Sequence, residues 1–303
     1  MIKKIVIWGH PEYSNTFAFI HYGLYKACKF LEYDVEWVPD SPENKDIDLT
    51  DAIVFSEHQQ IKHLPYNQTA KYFIHNLKSD FQSTDKDNFY NYLVYHENYK
   101  NWEGVKKIDN HFWFCEKTKT PVIMWATDIL PDEIDRLDPC IFDESKSDVN
   151  FIGSIGSGSN RGENIIKFAH VCADNGKNFV NYGGLTGYSD GNNPFYAYDK
   201  NIEFMRNSYI GFDIREKNNL ANGYVPCRIF KNMSYGKWVG TNSLKVNNFF
   251  EGRITVNDNL ESLYKDIVSD YKKASYDDLR DNMNYIRDNH TYVTRIKSFL
   301  SIL

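Results

Sequence analysis

Little in this chain suits cross-linking, membrane spanning or the collection of polyanions. Its 303 residues hold only five cysteines, an odd number, scattered at Cys28, Cys115, Cys140, Cys172 and Cys227. They show no CxxC pair and no metal-ligand spacing with histidine, which points to reduced thiols and not to a disulfide framework. The first apolar run, Ile5 to Trp8, is too short for a signal peptide and far too short to cross a bilayer. A cytoplasmic chain without an integral membrane span is expected. Positive charge is not in excess: 35 Lys and Arg against 41 Asp and Glu leave a formal net charge of −6. That excludes a broad cationic field for nucleic acid or anionic lipid and leaves room only for a local basic pocket. A GxxxxGK is missing, which removes nucleoside triphosphatases of the P-loop type.

What is present suits a folded α/β protein. Hydrophobic residues make up 42%, aromatics 16% and charged residues 25%, with a mean hydropathy of −0.58, so two ordinary domains can be filled. Short apolar runs at 3–9, 35–38, 52–56, 92–95 and 121–127 read as strands buried on both faces, hence a parallel sheet. A helix over 17–31 follows the first of them. A second series begins at Val149–Gly153 and continues at 179–182, 209–214, 238–241 and 254–256, with helices at 163–174, 200–207, 226–235, 259–273 and 276–288. The alternation predicts two doubly wound α/β domains, 1–145 and 146–303, joined by a polar linker between Pro131 and Asp148.

Two segments of the second half carry chemistry. Gly153-Ser154-Ile155-Gly156-Ser157-Gly158-Ser159-Asn160-Arg161-Gly162 lies between a predicted strand and a predicted helix. Glycines admit an anion to the backbone, the helix start offers free N–H groups, and Arg161 adds a cation. It fits a dinucleotide fingerprint poorly, since Arg161 stands where a third glycine belongs and the next strand ends in Gly183-Gly184 instead of an acid. The same loop also reads as a plain surface turn. In the segment 222–243, Pro226 opens a helix, Ile229, Phe230 and Met233 give it an apolar face, and Gly236 closes it. Arg228 falls in the first turn on another side, where a cation is unfavourable unless an anion sits nearby. A salt-bridged Arg228 is the alternative.

Tyr224-Val225-Pro226-x-Arg228-x-Phe230, a helix ending in Gly236, and a strand ending in Thr241-Asn242-Ser243 resemble the donor-site segment of glycosyltransferases with the two-Rossmann GT-B fold, closest to the spore-maturation-type bacterial enzymes. Val149–Gly153, Trp125-Ala126-Thr127-Asp128 and Asn289-His290-Thr291-Tyr292 through Arg295 are similar to three further places in that family, in the same order. The resemblance covers roughly 120–303 and implies two Rossmann-like domains facing a cleft, with a closing helix that returns to the first. It also implies a metal-independent transfer of a sugar from a UDP- or GDP-linked donor, with no cofactor besides that substrate. Donor contacts would come from Gly153, Ser154, Gly156, Ser157, Arg161, Gly183, Gly184, Tyr224, Arg228, Lys231, Asn242 and Ser243. Many such enzymes carry a glutamate for the donor ribose five residues before the helix-ending glycine. This chain has Lys231 there, which implies a different donor mode with Arg228 and Lys231 both serving phosphate.

Candidates for an acceptor-side base lie at predicted strand ends of the first half: His10 and Glu12, then Asp128, followed by Glu57, His58, His96 and Glu97. Open α/β sheets place ligands at that edge, and a His or carboxylate there can take a proton from an attacking hydroxyl. Each reads equally as a strand-end cap. Asp46 and Asp48 form an Asp-x-Asp in a charged loop with no further ligands for a metal. The acceptor expected is a glycan or lipid-linked glycan, with protein or a modified DNA base ranking behind. A nicotinamide oxidoreductase and a non-catalytic nucleotide-sugar-binding module are the competing functions.

Overall fold

The computed structural model describes residues 4–11, 16–78, 87–153, 155, 160–182 and 198–303, except the side chains at 16, 160, 161, 198, 199 and 248. The chain divides into two compact units, Met1–Met124 with Thr291–Leu303, and Trp125–His290. The division falls at 124/125, not near 145, because the polar stretch that reads as a linker is folded into the second unit. Pro131–Arg136 is a short helix, its start closed by a 2.6 Å bond from Leu130 N to Glu133 Oε2. Beyond it, Cys140 N donates to Gly236 O at 2.9 Å. Gly236 has φ +83°, and a Cβ there would stand 3.0 Å from Pro139 Cα. Only glycine both adopts that conformation and admits the crossing backbone.

The first unit carries β1 (Lys4–Gly9), α1 (Thr16–Phe30), β2 (Val35–Pro39), β3 (Ala52–Glu57), β4 (Lys71–His75), β5 (Phe89–Val94), β6 (Val105–Asp109), β7 (Phe112–Cys115) and β8 (Thr120–Ile123). These strands form one sheet in the order β2-β1-β3-β4-β5-β8-β7-β6. Neighbours from β2 to β8 are parallel, but β7 is antiparallel to both β8 and β6. The sheet is therefore mixed, which corrects the expectation of a wholly parallel one. The hairpin of β6 and β7 and the strand β4 were not foreseen. Lys106, Lys107 and Ile108 on β6 are exposed, as suits an edge strand guarded by charge.

Burial explains the apolar run that opens the chain. Ile5, Val6, Ile7 and Trp8 are all inaccessible, because β1 is covered on both faces. Val6 and Trp8 pack with Val54, Tyr72 and Ile74. On the closing helix Tyr292–Leu300, Phe299 lies 5.1 Å from Phe55 and 4.9 Å from Phe73 between ring centroids. The strand order reverses at β1: the chain goes out to β2 and returns on the other side to β3. The carboxyl ends of β1 and β3 thus flank a switch point, where open α/β sheets hold ligands.

The second unit runs α2 (Pro131–Arg136), β9 (Asp148–Ile152), α3 (Asn160–Asp174), β10 (Asn178–Tyr182), α4 (Tyr198–Arg206), β11 (Gly211–Asp213), α5 (Lys217–Asn222), α6 (Cys227–Ser234), β12 (Val239–Thr241), α7 (Asn247–Phe250), β13 (Thr255–Val256), α8 (Leu260–Lys273) and α9 (Tyr276–Asn289). β9 pairs in parallel with β10, and β12 lies in parallel between β11 and β13. Tyr209 N donates to Asp148 O at 2.6 Å and Asn150 N to Ser208 Oγ at 2.8 Å, so the segment entering β11 is fastened to β9. Phe151, Phe168, Phe212, Leu263 and Ile267 share one buried core. Helix starts follow their sequence signals: Asn259 accepts from Ser262 N and Ser275 from Asp278 N, each answering an otherwise unpaired donor.

Candidate functional site

Two groups of buried polar side chains stand out, one in each unit. In the second, the strand end Gly211-Phe212-Asp213-Ile214-Arg215 sets Asp213 and Arg215 two residues apart, hence on one side of an extended backbone. Arg215 meets the Asp213 carboxylate through Nε at 2.6 Å and Nη2 at 2.8 Å. Arg228, in the first turn of α6, reaches the same carboxylate through Nη1 and donates from Nη2 to Ile152 O at 2.7 Å. Its guanidinium lies 4.2 Å from the centre of the Phe151 ring. The cation at the positive end of α6 is thus answered by Asp213, whose side chain is fully buried. Three charged groups leave a local net charge of +1.

That cluster stands where the chain leaves β9 for the glycine-rich loop. A Cβ on Gly153 would lie 2.7 Å from Arg228 Nη2, and the residue has φ +153°, so glycine gives the guanidinium its place. Asn242 holds the other arm: its Oδ1 accepts from Arg215 N at 2.8 Å and its Nδ2 donates to Arg215 O at 3.0 Å. Tyr224 spreads its ring 5.3 Å from the Arg215 guanidinium, accepts from Trp125 Nε1 at 2.9 Å, and has its phenol pushed up to about 12, first by burial. The Ser243 hydroxyl is buried without a partner among the described residues. Of the expected donor contacts, Gly153, Tyr224, Arg228 and Asn242 meet around this cluster. Ser154, Gly156, Ser157, Gly183, Gly184 and the Arg161 side chain lie outside the described residues.

Lys231 and Asp128 are placed differently from the expectation. Lys231 Nζ lies 2.7 Å from Asp128 Oδ2, and Asp128 Oδ1 accepts from Tyr235 Oη at 2.5 Å. Asp128 belongs to the second unit, not to the first. Burial, then the Asp128 charge, hold the Tyr235 phenol far above its ordinary range.

In the first unit, the switch point carries a histidine–carboxylate pair. His10 follows β1 directly, Glu57 ends β3, and His10 Nε2 lies 2.5 Å from Glu57 Oε1, both buried. Trp37 Nε1 donates to His10 O at 2.9 Å and fixes the backbone there. His21 on α1 sits 5.8 Å from His10 between ring centroids, with neither ring nitrogen hydrogen-bonded among the described residues. Burial, then His10 and His75, lower its pKa from 6.5 to about 3. Burial takes His75, at the end of β4, to about 4. The pairing of His10 with Glu57 joins two candidates read separately from the sequence. Glu12 lies outside the described residues.

The remaining candidates are dispersed. His58 Nδ1 accepts from Lys78 N at 3.5 Å, while His96 stacks on Tyr99 at 4.0 Å and Glu97 opens a short 3₁₀ turn. Asp46 and Asp48 are exposed, and Asp48 Oδ1 accepts from Thr50 N at 2.9 Å. Among the described residues no group of three or more His, Cys, Asp or Glu can hold a metal ion, and no helix is long and apolar enough to cross a membrane. Asp213 and Arg215 escaped the sequence reading. Their signal was an acid and a base two apart at the end of an apolar strand. No family model matches this chain, and no curated protein matches it either.

Proposed function

We propose that this chain is a glycosyltransferase that moves a sugar from a nucleoside-diphosphate sugar to a hydroxyl acceptor, without a metal. The observation that carries the reading is Arg228, held by Asp213 and Ile152 O at the carboxyl ends of β9 and β11, where the glycine-rich loop begins. Fixed guanidinium N–H groups suit a diphosphate, whose charge grows as the sugar departs, and a pre-set donor needs no reorganisation at that moment. In this reading the second unit holds the donor. His10 of the first unit takes the acceptor proton, and Glu57 orients its ring and stabilises the imidazolium that forms. Lys231 neutralises Asp128 in place of serving phosphate.

The test is Arg228→Ala, with binding of UDP, GDP, uridine and guanosine measured beside hydrolysis of the corresponding nucleotide sugars. Loss of one charge-assisted contact costs about 1.5–3 kcal/mol. The expected outcome is that loss for the matching diphosphate and almost none for its nucleoside. Equal losses for both would remove Arg228 from the phosphate site, and no binding of either diphosphate by the wild type would remove the reading.

A further inference from the structure

Arg228 does not stand alone in its cluster, and Arg215 has no role in the reading above. The Asp213 side chain is inaccessible, that of Arg215 is 7% exposed and that of Arg228 12%. One carboxylate therefore orients two guanidiniums. Each guanidinium has five N–H groups. Arg215 gives two of them to Asp213, and Arg228 gives one to Asp213 and one to Ile152 O. The carboxylate of Glu216, next in the chain, is bonded to the Asn219 side chain. Its other oxygen is buried without a partner among the described residues. The ion pairs of both arginines run to Asp213, so the three groups in contact carry one more positive charge than negative among the described residues, an arrangement that favours an anion beside the two guanidiniums. Asn242 clasps the Arg215 backbone on both sides, and Tyr224 covers its guanidinium, so the second cation is as firmly set as the first.

We propose that Arg215 is a second cation of the anion site and that Asp213 is its positioning residue, fixing both guanidiniums for a pyrophosphate group. The proposal rests on the donor reading, and it makes a prediction opposite in sign to simple electrostatics. Asp213→Asn removes a negative charge from the neighbourhood of a bound anion. If Asp213 only adds repulsion, the variant binds pyrophosphate more tightly. If it positions the arginines, the variant binds more weakly although the site has become more positive.

The experiment is calorimetric titration of the full chain with inorganic pyrophosphate, with UDP and GDP and with uridine and guanosine, for wild type, Asp213→Asn, Arg215→Gln and Arg215→Lys, with circular dichroism to check folding. The expected result is pyrophosphate affinity lowered roughly 10–100-fold in Asp213→Asn, the scale of one charge-assisted contact. Arg215→Gln is expected to weaken it similarly while sparing nucleoside binding. Arg215→Lys keeps the charge but not the two-pronged geometry, and is expected to fall well short of rescue. Pyrophosphate binding as tight as wild type in Asp213→Asn and Arg215→Gln overturns the proposal while leaving the donor reading intact. Should Asp213→Asn fail to fold, unaltered binding in Arg215→Gln alone overturns it. Wild type that binds neither pyrophosphate nor a nucleoside diphosphate overturns both.

Discussion

The buried histidines of the first unit and the buried ion pairs of the second are held by opposite means. The first hides imidazoles and holds them neutral: burial lowers His21 to about 3 and His75 to about 4. It lowers His111 as well, where burial, then Arg295, outweigh a backbone hydrogen bond at Thr294. The second buries charged groups against carboxylates: Arg215 and Arg228 on Asp213, Lys231 on Asp128. Imidazoles held that low stay uncharged near neutral pH, whereas a guanidinium fixed by a carboxylate keeps its charge and attracts anions. In the proposed reading, anion binding falls to the second unit and proton transfer to His10 of the first.

Acid should separate the units most strongly. An unfolded histidine titrates near 6.5, while folded His21 and His75 titrate at about 3 and 4. Between those values the unfolded chain binds protons that the folded chain does not, so stability falls as pH drops below 6.5. At pH 5 each group contributes a loss of about 2 kcal/mol, about 4 kcal/mol for the pair. Urea unfolding followed by hydrogen exchange at pH 7 and pH 5 should show amides of β1, β3 and β4 losing protection faster than those of β9 and β11. His21→Phe should flatten the response by one proton. Equal losses in both units would break the comparison.

Catalysis should sharpen it next. His10→Ala should lower turnover by about 10²–10⁴-fold with nucleotide binding almost unchanged, the effect of removing a general base. Glu57→Gln keeps the shape but not the charge beside His10 Nε2 and should shift the pH dependence of turnover as well as its size. Normal turnover in both variants would place the base elsewhere. A matching fall in nucleotide affinity would erase the division between the units.

How much was legible follows from what each signal encodes. Period and punctuation placed α3, α4, α6, α8 and α9, because helical periodicity and helix openers and breakers such as Pro226 and Gly236 act locally. The hairpin of β6 and β7 was missed because Lys106, Lys107 and Ile108 carry no buried run, and the antiparallel turn has no glycine to mark it. His10 was legible as a strand-end residue, but its partner Glu57 lies 47 positions away, joined only through the pairing of β1 with β3. The division at 124/125 was illegible for a similar reason: Asp138 and Cys140 look like linker residues, and it is long-range bonds such as those to Arg206 and Gly236 that tie them to the second unit.

Asp128 gives the smallest effect and the finest discrimination. At a strand end it reads as a base, yet in the fold it accepts from Tyr235 and pairs with Lys231, which is one-fifth exposed. Removing one partner of a buried pair strands the other charge, at a cost of about 3–5 kcal/mol when fully enclosed. The partial exposure of Lys231 gives water access and screening, so Asp128→Asn should destabilise the second unit by about 2 kcal/mol. Asparagine keeps an acceptor for Tyr235, so the loss should come from the ion pair. Lys231→Met should therefore leave the Asp128 charge without this ion pair, and the double variant should recover most of the cost, since neither charge then remains. Thermal unfolding of the two single variants and the double one closes that cycle. Turnover should follow stability and return in the double variant. Strict additivity, or turnover abolished in Asp128→Asn with full stability, would return Asp128 to the role of a base and place acid–base chemistry in the second unit too.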